Sequence, residues 1–239
     1  MQTLNSIVFG WYPYLCVTVF LFGSLFRFDR EQYTWRTGSS QLLRRRQLTW
    51  GSNLFHVGIL LIFLGHFVGL LTPIWVFDWL GISHGFKQML AIVAGGTAGL
   101  MCMVGIALLT HRRLFDPRIR ANSSFGDTAI LLLLFAQLLL GLASIPVSMS
   151  HLDGHEMVKF MDWAQGIVTL QPGVAANILD VHPIFKAHLV LGMTLFLVFP
   201  FTRLVHVWSA PVWYLGRRGY QIVRSRDGGR MVRPTQPAE

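Results

Sequence analysis

The 239-residue chain is poor in charge: 13% of its residues are Asp, Glu, Lys or Arg, against 53% apolar. A soluble domain usually carries about 25% charged residues, so this chain cannot cover a globular surface. That excludes an ordinary soluble enzyme, a disordered tail and a nucleic-acid binder, although the net charge is +9. Cysteine is nearly absent. Cys16 and Cys102 lie in different apolar runs, with no CxxC, no CxxCH and no disulfide framework. Carboxylates are missing where they would matter, since all eleven Asp and Glu residues fall in loops or at the edges of apolar runs. A proton-coupled transporter usually keeps a carboxylate mid-membrane and a di-iron site needs several, so both readings lose weight. No Lys or Arg precedes the first apolar run, which is also too long for the h-region of a cleavable signal peptide.

What is present is five long apolar runs, roughly residues 4–26, 53–71, 88–109, 128–147 and 184–208. Each approaches the about 20 residues a bilayer crossing takes. The runs are continuous rather than alternating, which leaves helices as the way to satisfy the backbone in lipid. The expected architecture is therefore an all-α polytopic membrane domain over residues 1–226, with five transmembrane helices. A loose tail, 227–239, follows it. Between the last two runs, Met157–Val168 is apolar and helix-compatible, and is expected to lie flat on the outer surface. No separate globular module long enough to hold a core is expected.

Sixteen of the twenty basic residues sit in three segments: between runs one and two, between runs three and four, and after run five. Lys87, Lys159 and Lys186 fall on the other side. The positive-inside rule then puts the N-terminus in the periplasm and the C-terminus in the cytoplasm. Trp11, Tyr12, Tyr14, Trp75, Trp79, Trp208, Trp213 and Tyr214 mark the interfaces.

Of nine histidines, His84, His111, His151, His155 and His182 lie in loops or at boundaries, where an interfacial polar role suffices. The other four, His56, His66, His188 and His206, lie within runs two and five, two on each. A lone membrane histidine can simply bridge helices; four confined to two helices read as metal ligands. The two runs are antiparallel, so His56 is level with His206 and His66 with His188. Separations of roughly 15 Å and roughly 27 Å, at about 1.5 Å per residue, do not match. Pro200, between His188 and His206, is a ready cause of a bend. Two imidazole pairs without thiolate or carboxylate suit six-coordinate haem iron, whereas zinc gathers four ligands around one point. Without CxxCH such a haem is non-covalent and b-type. Gly58, Gly65, Gly69 and Gly192 leave room for a flat macrocycle, or, as in Gly65-x-x-x-Gly69 and Gly95-x-x-x-Gly99, allow close helix crossing. Both readings stand at this point.

Four strings, YTWRTGSSQ after run one, SNLFHVGILLIFLGHFVGLLTP across run two, HRRLFDPRIR before run four and HLVLGMTLFLVFPFTRLVHVWSAPVWYL in run five, resemble the cytochrome b (gamma) subunit of membrane-bound respiratory nitrate reductase. The resemblance covers about residues 1–226. It implies two haems b, one held by His56 and His206 nearer the cytoplasm and one by His66 and His188 nearer the periplasm. It also implies ubiquinol or menaquinol oxidation beside the latter. Lys87 matches a family lysine of that quinol site, and Gly65 lines the same pocket beside His66. The implied partners are an iron–sulfur (beta) subunit and a molybdenum catalytic (alpha) subunit, both cytoplasmic, in a bacterial inner membrane. The arginine-rich segments are expected to hold haem propionates and dock those partners, or only to set topology. The alternative is a related di-haem subunit of a sulfur-cycle or heterodisulfide-type reductase. A haem-free scaffold, with the histidines bridging helices, is a third reading.

Overall fold

The computed structural model describes residues 2–35, 40, 42–210, 212 and 216. The expected tail 227–239, the anchors Trp213 and Tyr214, Arg36 and the arginines beyond Arg203 lie outside the described residues. The chain divides into two units, Met1–Val207 and Trp208–Glu239. Of the second, residues 208–210, 212 and 216 are described, with Trp208 and Ser209 closing a 3-10 turn.

The first unit is helical, with no strand among its described residues. Among the described residues, five stretches have the length and apolarity of membrane spans. Helix α1, Gln2–Arg30, contains a π-helical segment at Ile7–Trp11. Pro13 explains it: proline lacks an N–H and crowds the preceding turn, and the Tyr12 N–H reaches back to Ile7 O as the helix widens. Helix α2 is Arg45–Leu71, followed by a short α3, Ile74–Trp79. Helix α4, His84–Phe115, starts on Ser83, whose hydroxyl accepts from the Phe86 N–H at 3.2 Å. Asp116 ends α4 and caps a short α5, Pro117–Ala121. Helix α6, Phe125–Ala143, opens with a capping box between Ser124 and Asp127. It runs almost directly into a further turn, Ile145–Met149. Helix α7 is His155–Val168, and α8 is Pro183–Val198.

The spanning helices pack in a row. Helix α2 lies along α4, α4 along α6, α6 along α8, and α8 along α1. The α2–α4 seam is the closest. A Cβ on Gly58 would sit 2.8 Å from the Cys102 Cα, and one on Gly105 would sit 2.8 Å from the Phe55 Cα. Gly58 is therefore a packing glycine, not room for a macrocycle. Gly65 and Gly69 are the opposite case: nothing lies within 4 Å of a Cβ at either. The Gly65-x-x-x-Gly69 crossing is thus not made among the described residues. In Gly95-x-x-x-Gly99, Gly99 alone meets a neighbour, Leu142.

Two further expectations are corrected. Helix α7 does not simply lie on a surface. Its Trp163, Ala164 and Ile167 join Phe9, Val174, Ala175, Ile178 and Val181 in a buried cluster. The Trp163 indole donates to Phe9 O at 2.8 Å, and Gln165 Nε2 donates to Leu70 O and Thr72 O at the end of α2. Those two carbonyls are the ones a helix C-terminus leaves without partners. The segment therefore clamps one end of the bundle. The fifth span also ends earlier than residue 208. Helix α8 stops at Val198, Phe199–Phe201 form a 3-10 turn, Thr202 is extended (φ −119°, ψ 178°), and Arg203–Ser209 form a second 3-10 turn. Pro200 lies at a full break rather than a bend.

Candidate functional site

Helices α2 and α8 are not neighbours in the row; imidazoles join α2 to α8 and to the 3-10 turn that follows the break. The rings of His56 and His206 have centroids 6.3 Å apart with planes at 70°, and those of His66 and His188 are 6.2 Å apart at 38°. The helix break supplies the register. Ten residues of α2 separate His56 from His66, whereas His188 and His206 are eighteen apart. The chain leaves the helical path at Thr202, so the extra residues do not all count along the axis.

The hydrogen bonds set which nitrogen is available. His56 Nδ1 donates to Ser52 O at 2.7 Å, His66 Nδ1 to Ile62 O at 2.9 Å, and His206 Nδ1 to Arg203 O at 2.6 Å. A carbonyl can only accept, so the proton is on Nδ1 and the lone pair on Nε2, the arrangement a ligating imidazole needs. His188 differs. Its Nδ1 is buried without a hydrogen-bond partner, and its Nε2 lies 3.3 Å from Gln137 Nε2 on α6.

The spacing fits a bridging metal. An ion about 2.0–2.1 Å from each imidazole nitrogen, with about 1 Å from nitrogen to ring centre, sets the centroids roughly 6 Å apart. No group of three or more His, Cys, Asp or Glu side chains comes together among the described residues. Paired nitrogens without further protein ligands suit an ion whose remaining positions are filled by a macrocycle. The open flanks of Gly65 and Gly69 lie beside His66 on the same helix. The space at the His66 pair accommodates a haem, with His66 offering its Nε2 and the His188 Nε2 facing the Gln137 amide nitrogen. Gly192 does not add to that room, because a Cβ there would stand 3.2 Å from Gln137 Nε2.

Lys87, in the first turn of α4, is buried. Its ammonium lies 2.6 Å from Met161 Sδ and 3.9 Å over the Phe77 ring. These contacts join it to α7 and α3 rather than to His66, His188 or Gly65. The other histidines have local tasks. His84 reaches Asp78, His111 meets Gln47, His151 donates to Val147 O, His155 lies 4.0 Å from Asp153, and His182 caps α8. Tyr12 is more than an anchor, since its hydroxyl bonds Thr194 on α8 at 2.8 Å.

Several arginines are occupied within the chain. Arg27 donates to Pro200 O, Thr202 O and Thr34 O. Arg112, buried, donates to Ser40 and to Leu43 O. Asp127 stands 3.8 Å from Arg113 and 3.5 Å from Arg203, and Asp116 pairs with Arg44 at 2.7 Å. Arg45, Arg46, Arg118 and Arg120 are exposed at the same end. The roles of Arg27 and Gln137 were not visible in the sequence pattern. An amide in the middle of run four was the available signal for Gln137.

Residues 5–226 match the family model described as nitrate reductase gamma subunit. The chain is 53% identical over 227 residues to the respiratory nitrate reductase 1 gamma chain of Escherichia coli, covering 95% of this chain and 100% of that one. It is 39% identical to the nitrate reductase gamma chain of Bacillus subtilis, over 93% of this chain and 99% of that one. A more distant relative is the Hdr-like menaquinol oxidoreductase cytochrome b-like subunit of Archaeoglobus fulgidus, 27% identical over 78% of this chain and 54% of that one.

Proposed function

The chain belongs to the nitrate reductase gamma subunit family, and from that premise we propose that it is the di-haem b subunit through which quinol supplies electrons to a nitrate-reducing complex. As a multi-pass protein of the bacterial inner membrane, it anchors that complex. One observation carries the reading: two imidazole pairs face each other along α2, His66 with His188 of α8 at 6.2 Å and His56 with His206 of the 3-10 turn after the break at 6.3 Å between ring centres. His56 and His206 would hold one haem b, and His66 and His188 the other. Bound there, the haems supply one-electron carriers linking a two-electron quinol to the redox centres of a partner. Irons held by two imidazoles each would offer no open position, which places nitrate reduction on a partner subunit in this reading.

The arginine distribution supports a cytoplasmic position for the His56–His206 end, with the N-terminus periplasmic and residues 1–226 as the membrane domain. Ubiquinol or menaquinol is oxidised at the other end, beside His66 and Gly65. Gly65 leaves its flank open to the quinol. Lys87 supplies a buried cation in the same half of the membrane. No carboxylate lies deep in a span to carry protons inward, so the quinol protons leave on the periplasmic side. Arg45, Arg46, Arg118 and Arg120 present positive charge to the iron–sulfur (beta) and molybdenum (alpha) subunits.

Purification of the chain with its associated subunits tests this reading. The expected result is two haems b per chain in the reduced-minus-oxidised spectrum, with molybdenum and iron–sulfur centres in the co-purifying subunits. A preparation without a b-type spectrum overturns it. The likeness to the Hdr-like subunit favours a second reading, a di-haem subunit of a heterodisulfide-type or sulfur-cycle reductase. Haem without molybdenum in the purified complex would support that one.

A further inference from the structure

The turn Arg203–Ser209, which carries His206, lies beyond the break that ends the fifth span. Hydrogen bonds in a 3-10 segment are poorer than in an α-helix, so its position depends on what pins it from outside. Arg27 of α1 holds the approach through Pro200 O and Thr202 O, and Val205 is buried. A further pin comes from α6. Asp127 Oδ1 stands 3.5 Å from Nε of Arg203, the first residue of the turn. The other oxygen, Oδ2, accepts from the Ser124 N–H at 3.4 Å and stands 3.8 Å from Arg113 Nη1 of α4. That arginine nitrogen is itself placed by donation to Ser123 Oγ at 3.0 Å. One carboxylate thus ties the end of α4 and the start of α6 to the turn.

Arg203 is also the residue whose carbonyl takes the Nδ1 proton of His206, at 2.6 Å. Its side chain therefore leads to Asp127 and its main chain to the imidazole. The lone pair of His206 stays on Nε2, opposite His56, whose Nδ1 likewise donates to Ser52 O. Both rings of this pair keep the nitrogen that ligation requires, and the Asp127 contact takes nothing from either. The side chains of Arg113, Asp127 and Arg203 are between 13% and 25% exposed. Charges in such a setting act more strongly than on an open surface.

We infer that Asp127 is the positioning residue for His206: through Arg203 it seats the turn and fixes the carbonyl that orients the ring. The inference rests on the ligand role proposed for His206. Groups beyond the ligands set ring orientation and ligand basicity, here on the nitrogen that does not ligate. The carboxylate also acts by its charge, with a defined sign. Negative charge near an electron acceptor opposes its reduction, and Asp127 offsets part of the positive charge of Arg113 and Arg203. Removing that charge favours the reduced form.

The test uses the complete complex in membranes, by redox titration of the b-type absorption and by electron paramagnetic resonance of the ferric low-spin signals. His206→Ala and His188→Ala assign the two components. Asp127→Asn is expected to raise the midpoint potential and shift the low-spin signal of the component lost in His206→Ala, leaving the other in place. Asp127→Glu keeps the charge and should hold that potential near the wild-type value. Arg203→Gln cuts the same link from the other side; it should shift the same low-spin signal and lower the potential. Ser124→Ala removes the cap at the same helix start and should lower thermal stability with both components unmoved. An unaltered His206 component in Asp127→Asn overturns the inference, as do equal changes in both components or the same change in Ser124→Ala. Should Asp127→Asn fail to assemble, an unaltered His206 component in Arg203→Gln overturns it equally. A wild-type complex without bis-imidazole haem signals overturns the underlying ligand reading instead, and the inference with it.

Discussion

Arg27 donates a 2.6 Å hydrogen bond to the carbonyl oxygen of Pro200, from α1 to the break that follows α8. The same nitrogen reaches Thr202 O at 2.9 Å, and the remaining donors hold Thr34. A spanning helix that stops early leaves carbonyls without partners, and in lipid no water replaces them. Arg27 answers that need and so holds the turn that carries His206. Arg27→Leu strips two charge-assisted bonds to the break, with the two to Thr34, and is expected to cost about 2–4 kcal/mol. Thermal unfolding in detergent should report the loss, and the spectral component that depends on His206 should weaken more than the other. An equal effect on both components would show that Arg27 serves general stability alone.

Two glycines of α2, Gly58 and Gly69, have opposite surroundings. Gly58 abuts the Cys102 backbone, whereas Gly69 has open space on its flank. Gly58→Ala must push α2 from α4 and should destabilise by about 1–3 kcal/mol, as overpacking does. Gly69→Ala meets nothing and should leave stability unchanged or raise it by up to about 1 kcal/mol through helix propensity. Chemical or thermal denaturation of the two variants side by side checks the contrast.

The spans were legible because apolar length alone demands them, and because helices are the solution lipid allows. Their ends were less so. The Pro200 signal pointed to irregularity, but a break at Thr202 depends on Arg27 from another helix supplying donors to the freed carbonyls. The burial of Trp163 was hidden for a similar reason: its hydrogen-bond acceptor, Phe9 O, lies 154 residues away in the chain. Glycine spacing could not separate packing from open space, since Gly58, Gly65 and Gly69 differ only in what stands opposite. Gln137 carried a weak signal, one amide in an apolar run, and nothing in the sequence tied it to His188.

Asp116 couples the arginine-rich end to pH. Partial desolvation raises the carboxyl pKa, but acceptance from the Ile119 and Arg118 N–H groups and from Arg44 outweighs it, leaving the carboxyl below its ordinary value of 3.8. A depressed folded-state pKa contributes stability that is fully present above the unfolded value and lost as pH falls through the folded one. Wild-type protein should therefore lose thermal stability as pH drops below about 4, the ordinary aspartate range. Asp116→Asn should start less stable at neutral pH and show a shallower decline on the acid side. Parallel melting curves from pH 7 to pH 3 decide it, and identical slopes would remove Asp116 from the account.

The facing of His66 with His188, and of His56 with His206, carries a sharper expectation than haem content alone. Helix α2 runs away from the arginine-rich end and α8 runs back toward it, so a ligand lost from either helix should remove the component shared with its ring neighbour. His66→Ala and His188→Ala are expected to abolish one and the same b-type component. His56→Ala and His206→Ala should abolish chiefly the other. Each substitution leaves the partner imidazole at its site, so the surviving component should keep its midpoint potential, which redox titration of the four variants reads directly. Crossed losses, with His56 grouped with His188, would require the two segments to run in the same direction. The ring contacts at 6.2 Å and 6.3 Å could not then persist in the assembled protein.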